Sequence, residues 1–224
     1  MNANALKALA IMEKRVAIVQ SKQDKLAGLI GSRICHDLIS PIGAVTNGLE
    51  LMELAGLPQG PEVELVNQSA FSAAARIKYY RLAFGDTGKL ESTHQVRGAE
   101  IADILAGVFL SGRISVQWHV TEDLPRAEIK AALLAVMCAE VALGSGGRID
   151  VTHEGSTWVV DAKGQKLMLQ GEPWEVLRAN ADLADTEIAI APAAVQFALL
   201  PEVLKQLDRR LQVSSQDDVL TLRF

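Results

Sequence analysis

The stretch DKLAGLIGSRICHDLISPIGAVTNGLELMELA, residues 24–55, decides the fold. Apolar residues recur in it at Leu26, Ile30, Ile34, Leu38, Ile42, Val45, Leu49 and Met52. Steps of three or four put all eight on one stripe of a helix. Gly56-Leu57-Pro58-Gln59-Gly60-Pro61 then stops that helix, and Pro61 suits the first turn of the next. The second helix is expected over residues 61–84, carrying Val63, Val66, Ala70, Ala73, Ala74, Ile77 and Tyr80, with Gly85 at its end. A short turn makes the two helices antiparallel neighbours. Such a hairpin buries too little alone, so a second copy is expected to complete a dimeric four-helix bundle.

Working outward, residues 1–23 form an N-terminal extension, helical or mobile, and residues 86–99 form a polar, glycine-containing linker. From residue 100 onward helical and strand patterns mix. Helices are expected at 100–110, 126–143, 172–181 and 192–208. Strands are expected at 113–120, 148–153, 157–162, 166–169, 210–214 and 219–224. Gly146-Gly147, Gly155 and Gly164 punctuate the central strands. The fold class is therefore α+β: a helical hairpin at 24–85, then an α/β unit at 100–224 with its own core. No internal repeat is visible.

Bulk composition narrows the function. With 49% apolar and 22% charged residues the chain is ordinary globular protein. Its 22 basic against 27 acidic residues give a formal charge of -5, without the basic footprint of a nucleic-acid binder. The two cysteines, Cys35 and Cys138, have no metal-type spacing to each other or to the four histidines, which suits a reducing compartment. Glu13, Lys14 and Arg15 break the N-terminal apolar stretch, and no uncharged apolar run reaches the roughly 18 residues of a membrane span. A cytoplasmic protein with no membrane partner is expected.

The candidate chemistry centres on His36. At about 100° per residue it lies about 200° from both Ile34 and Leu38, opposite the apolar stripe. One reading of such a histidine is a solvated surface residue. Its surroundings offer another. Ser32, Arg33, Ile39, Ser40 and Gly43 share its face, and four glycines, Gly28, Gly31, Gly43 and Gly48, interrupt one helix at a cost of about 1 kcal/mol each. Close approach of another protein's backbone is one reason for them. Tight helix packing is the other, and it suits Gly48 better than Gly43. Pro41 removes a backbone donor and bends the helix just beyond the histidine, at about 3 kcal/mol. A metal site would need histidines three or four apart, and His94, His119 and His153 fall outside this helix. Cys35-His36-Asp37 is no triad, because consecutive helical residues point about 100° apart. An imidazole acting as nucleophile remains, and near neutral pH much of it is unprotonated.

His36-Asp37-Leu38-Ile39-Ser40-Pro41 resembles the phosphoacceptor box of dimeric sensor histidine kinases: histidine, then an acidic residue, then a proline five positions after the histidine. The longer run SRICHDLISPIGAVTNGLELM, with RIKYYRLAFG on the second helix, resembles more closely the ChpT-type histidine phosphotransferases of bacterial cell-cycle phosphorelays. The resemblance implies a hairpin dimer followed by a degenerate histidine-kinase-like ATPase α/β sandwich domain. It implies that His36 takes a phosphoryl group from the receiver domain of a hybrid kinase and passes it to response regulators. Asp37 would then orient the imidazole, and Ser40 would stand where related kinases carry a polar residue that positions a water.

The kinase comparison also bears on ATP. Alignment on Gly146-Gly147 puts Cys138 where a kinase carries its metal-binding asparagine, and Mg²⁺ prefers oxygen to sulfur. The kinase D-x-G-x-G loop is reduced to Asp161-Ala162-Lys163-Gly164, in which Asp161 reads as an aspartate of a strand-end turn. A glycine-rich ATP lid is replaced by Glu172-Pro173-Trp174-Glu175-Val176-Leu177. The expectation is a chain that binds no cofactor, with Mg²⁺ supplied by the receiver. Receiver contacts are expected at Arg33, Ile39 and Gly43, with Arg76 and Tyr80 on the second helix. For Arg33 and Arg76 the alternative is plain surface charge; for Ile39 and Tyr80 it is bundle core. Two other functions stay open at this point: an ATP-dependent histidine kinase, and a non-catalytic dimeric adaptor that binds receivers.

Overall fold

The computed structural model describes residues 30, 33–34, 37–38, 41–45, 47–48, 51–52, 54–55, 60–85, 95–110, 112–179 and 191–224. The N-terminal extension 1–23, the turn at 56–59 and residues 86–94 of the expected linker lie outside them. Every described residue between 30 and 55 is helical, as the apolar stripe requires. The second helix, α1, is Pro61–Phe84, with proline in its first turn and Gly85 receiving the chain beyond it.

The two helices meet at Gly48, which is buried. A Cβ there would stand 2.3 Å from the Val66 side chain, so only glycine lets α1 approach this closely. Gly43 differs: a Cβ there meets nothing within 4 Å.

Beyond α1 the elements are β1 (Gln95–Val96), α2 (Gly98–Val108), β2 (Ile114–Trp118), β3 (Leu124–Pro125), α3 (Arg126–Ala142), β4 (Gly147–Glu154), β5 (Thr157–Lys163), α4 (Glu172–Ala179), a short 3₁₀ turn at Pro192–Ala194, α5 (Val195–Gln206), β6 (Gln212–Gln216) and β7 (Val219–Arg223). The main sheet has the order β2-β4-β5-β7-β6; β2 and β4 run parallel and the other pairs antiparallel. Strand alternation sends Ile149, Val151, Trp158, Val160, Ala162, Leu220 and Leu222 to one face, where all are buried. Against that face lies α3, whose long apolar run is buried over most of its circumference and which also packs on α5 and α1. At the start of β4, Gly146 and Gly147 have φ of 106° and 154°, and a Cβ on Gly147 would stand 2.2 Å from the Lys163 carbonyl. Only glycine suits that crossing.

Trp158 anchors this half. Its ring is fully buried against His153, Trp118 and Phe224, with centroids 4.5, 5.6 and 6.3 Å away. Its indole N–H donates to Glu128 Oε2 at 3.0 Å, and Arg209 reaches the same oxygen at 3.0 Å.

Several expectations need correction. The segment 166–169 is not a strand: the flanks of β5, the strand just before it, are taken by β4 and β7. It crosses the end of α3 instead, with the Met168 N–H donated to the Ala142 carbonyl at 2.9 Å. Within the expected linker, residues 95–96 pair with β3 and Gly98 opens α2. Asp161 is not in a turn. It lies inside β5, opposite Asp150 and Thr221, and accepts the Thr221 hydroxyl at 2.6 Å. Nor is the α/β unit's core separate from the hairpin. The C-terminal half of α1, with Ala75, Tyr79, Tyr80, Leu82, Ala83 and Phe84, belongs to the same buried cluster as the sheet. Ile77, expected inside, is 53% exposed.

Candidate functional site

The end of α1 is fastened to α3 by side chains reaching backbone carbonyls. Arg126 donates to the Arg81 carbonyl at 2.9 Å, Lys130 to that of Gly85 at 2.9 Å, and the Tyr79 hydroxyl to that of Leu133 at 3.2 Å. This frame carries Tyr80, whose ring is 2% exposed and lies between Tyr79 and Phe84. Its hydroxyl donates to Asp37 Oδ2 on the leading helical segment.

Arg33, one turn before Asp37, places its guanidinium 2.7 Å from the same carboxylate oxygen. The partners are an i, i+4 pair, which share a helix face. The other end of the Arg33 fork donates to the Ala193 carbonyl at 3.1 Å, in the turn ahead of α5. One arginine thus ties the segment containing the histidine box to the C-terminal half of the chain.

Beside this brace a cleft of about 470 Å³ opens between the two helices, lined among others by Arg33, Asp37, Pro41, Ser69, Arg76 and Glu140. A second, of about 390 Å³, shares Ser72, Arg76 and Glu140 and runs on to Arg113 and Gly146. The structure therefore brings three of the expected site residues, Arg33, Asp37 and Tyr80, into direct contact, with Arg76 lining the same cleft. Gly43 stands clear of them. His36, Ile39 and Ser40 lie outside the described residues.

Burial, and after it the bond to Asp37, pushes the Tyr80 phenol up, so its hydroxyl keeps its proton for donation. Burial likewise raises the Glu140 carboxyl, against the opposing charges of Arg76 and Arg33. Sequence reasoning passed over Glu140, although it is the one charged residue within AALLAVMCAEVAL, residues 131–143. Because the folded chain holds that proton more tightly than the unfolded one, stability falls as pH rises above the ordinary 4.5. Glu140→Gln is therefore expected to raise Tm at pH 7, and the gain should vanish below about pH 4 in a thermal-melt pH series.

Cofactor sites can be judged from the same residues. Among the described residues no group of three or more His, Cys, Asp or Glu is placed to hold a metal ion. Cys138 is 0% exposed in α3, its thiol pushed up by burial, so it offers a metal neither oxygen nor a thiolate. Asp161 is engaged across the sheet with Thr221. These residues do not fit the nucleotide and Mg²⁺ of a kinase. No helix among the described residues is long and apolar enough to cross a membrane.

The protein phosphotransferase ChpT of Brucella abortus (strain 2308) is 33% identical over 147 residues, 63% of this chain and 69% of that protein. A solved bacterial phosphotransferase is 26% identical and superposes with a TM-score of 0.69 over 89% of this chain and 95% of that one. The sequence model of the family described as histidine phosphotransferase C-terminal domain matches residues 98–219, more than half of the chain. On these matches, the chain belongs to the histidine phosphotransferase family.

Proposed function

We propose that this chain is a phosphorelay carrier: His36 accepts a phosphoryl group from the aspartate of one receiver domain and gives it to the aspartate of another. The observation that carries the reading is the match to a histidine phosphotransferase domain in a chain whose His36 is followed by Asp37, itself held at the rim of the hairpin cleft. Phosphoryl transfer between aspartate and histidine asks a protein mainly for in-line positioning and charge neutralisation. Mg²⁺, if brought by the receiver, would supply neutralisation of charge on the phosphoryl oxygens. Ser40 would position a water if the phosphohistidine is also hydrolysed.

ATP has no part in this scheme, in accord with the buried Cys138 and the engaged Asp161. Residues 98–224 then read as a degenerate kinase-like ATPase domain retained as a frame for the hairpin. A receiver labelled with ³²P from acetyl phosphate should label this chain, whereas [γ-³²P]ATP and Mg²⁺ without a receiver should not. Labelling by ATP without a receiver would replace the carrier reading with that of a kinase, and binding without transfer would favour the adaptor.

Apolar residues left outside on both helices support the dimeric bundle: Leu54 is 84% exposed and Phe71 57%, with Ile42, Leu51, Leu65 and Ile77 also exposed. A second copy would cover them. Mass measurement by light scattering should give twice the mass of the 24.1 kDa chain, and Phe71→Glu should shift it toward the monomer. The same reading places the protein in the cytoplasm, where Cys138 stays a free thiol.

For docking of the receiver we favour the helix face at Gly43, where space is open, with Arg33 and Ile39 as the further contacts expected from the sequence and Arg76 in the cleft. Gly43→Ala is expected to stabilise the helix by up to about 1 kcal/mol and to leave transfer nearly intact. Gly43→Phe should raise the receiver concentration needed for half-maximal transfer without lowering Tm. Equal receiver affinity in the two variants would remove Gly43 from the interface.

A further inference from the structure

We infer that Tyr80 is a positioning residue for phosphotransfer, acting through the Asp37 carboxylate next to His36 in sequence. The inference rests on the carrier function proposed above. An aspartate on a helix surface ordinarily turns among rotamers in water. Asp37 does not have that freedom, because Oδ2 takes two donors from different parts of the chain, the Arg33 guanidinium at 2.7 Å and the Tyr80 hydroxyl. Its side chain is 11% exposed and that of Arg33 13%.

Tyr80 is itself closely packed. Its ring packs between those of Tyr79 and Phe84, with centroids 5.9 and 5.5 Å away, on the stretch of α1 fastened to α3 by Arg126 and Lys130. The rigid C-terminal half therefore reaches the histidine box in a few links: α3, the end of α1, the Tyr80 hydroxyl, Asp37. A C-terminal domain without a working nucleotide site keeps a reason to exist, which is to hold this carboxylate.

The carboxylate has definite work. In the forward step the lone pair of an imidazole nitrogen of His36 attacks phosphorus in line, and a P–N bond forms. The P–O bond of the receiver's aspartyl phosphate breaks, and its electron pair stays on the receiver carboxylate. The ring is then an N-phosphorylated cation whose remaining N–H would donate a hydrogen bond to the Asp37 carboxylate, and the proton is released to solvent as the ring neutralises; the return step runs backward. A carboxylate that wanders would serve such an N–H only part of the time, whereas one held through Oδ2 keeps one position.

The test uses the full-length chain and a receiver domain phosphorylated by acetyl phosphate and Mg²⁺, followed by rapid quench. Tyr80→Phe keeps the buried ring and removes the hydroxyl. At saturating receiver its transfer rate should fall roughly 10-fold or more, a loss typical of misplacing a catalytic group. The half-saturating receiver concentration should not change, and the loss should disappear in an Asp37→Asn background, as expected of two groups acting as one unit. Tyr80→Phe transferring at the wild-type rate, or losses that multiply in the double variant, would overturn the inference. Asp37→Glu guards against misfolding of the first variant: it keeps the carboxylate but carries it one methylene beyond the Tyr80 hydroxyl. It should also slow transfer at saturation, and a wild-type rate would again overturn the inference. Absence of transfer in the wild-type chain overturns both this inference and the carrier function; transfer unaffected by either variant overturns this inference alone.

Discussion

His36→Gln is expected to abolish acceptance of phosphate from a phosphorylated receiver while leaving the fold intact. The label carried by the wild-type chain should be stable in base and lost in acid, as a phosphoramidate is and an acyl phosphate is not, and digestion should map it to the peptide containing His36. Glutamine keeps a polar side chain of similar reach but lacks a ring nitrogen with the nucleophilicity of imidazole. Of the other three histidines, two are engaged elsewhere. His119 lies on the sheet edge, paired with Asp150 at 2.9 Å. The His153 side chain is 6% exposed and engaged with Glu122 at 2.9 Å. His94 lies far along the chain, in the expected linker. Retained label in His36→Gln would move the phosphoacceptor elsewhere.

The largest stability effect is expected at Trp158. Truncation of a fully buried aromatic removes its transfer free energy and leaves a cavity, about 3–5 kcal/mol for Trp→Ala. Here it would also remove the indole donor from Glu128, leaving Arg209 at 3.0 Å and His153 Nε2 at 3.9 Å beside that carboxylate. For a chain of this size the loss corresponds to a fall in Tm on the order of 10 °C. Trp158→Phe separates the contributions: it keeps much of the contact with His153 and Phe224 and gives up the N–H bond, with an expected cost of about 1–3 kcal/mol. Equal losses in the two variants would assign the whole effect to the hydrogen bond. Neither substitution touches the hairpin cleft, so transfer by the folded fraction should be unchanged.

How far the sequence carried the fold can be judged at particular residues. The stripe from Ile30 to Met52 was legible because helical periodicity is local, and the described residues between 30 and 55 are helical. Gly85 as the end of α1 and glycine at the Gly146-Gly147 turn were legible for the same reason. The false strand at 166–169 and the turn assigned to Asp161 share one cause. A strand needs a partner with a free edge, and local pattern does not report that β4 and β7 already flank β5. The shared core was missed because Tyr79 and Phe84 sit on a helix whose apolar stripe read as bundle-facing, while α3 and α2 claim its C-terminal half. At the site, residue types were legible and pairings were not. Asp37 and Tyr80 each stand out by residue type, but 43 residues separate them and no periodicity links them. Glu140 alone left a visible sign, a single charge inside an apolar helix.

The position of Tyr80 sharpens the account of what the family's C-terminal domain does in this chain. Expected as a receiver contact, the ring is instead sealed in the core with its hydroxyl on Asp37. On the inference drawn above, its influence on transfer passes through that carboxylate. Arg33 has two attachments of the same kind, Asp37 and the Ala193 carbonyl, so its loss should loosen the histidine segment from the C-terminal half as well as weaken receiver contact.

The measurement that tests the central claim most directly is a relay with two receivers. The chain is labelled by a phosphorylated first receiver, purified away from it, and then mixed with an unlabelled second receiver and Mg²⁺. Label should leave His36 and appear on the second receiver's aspartate at matching rates, and no second-receiver label should form when His36→Gln is carried through the same steps. Label that stays on the wild-type chain, or that reaches the second receiver equally well by way of His36→Gln, would contradict the account.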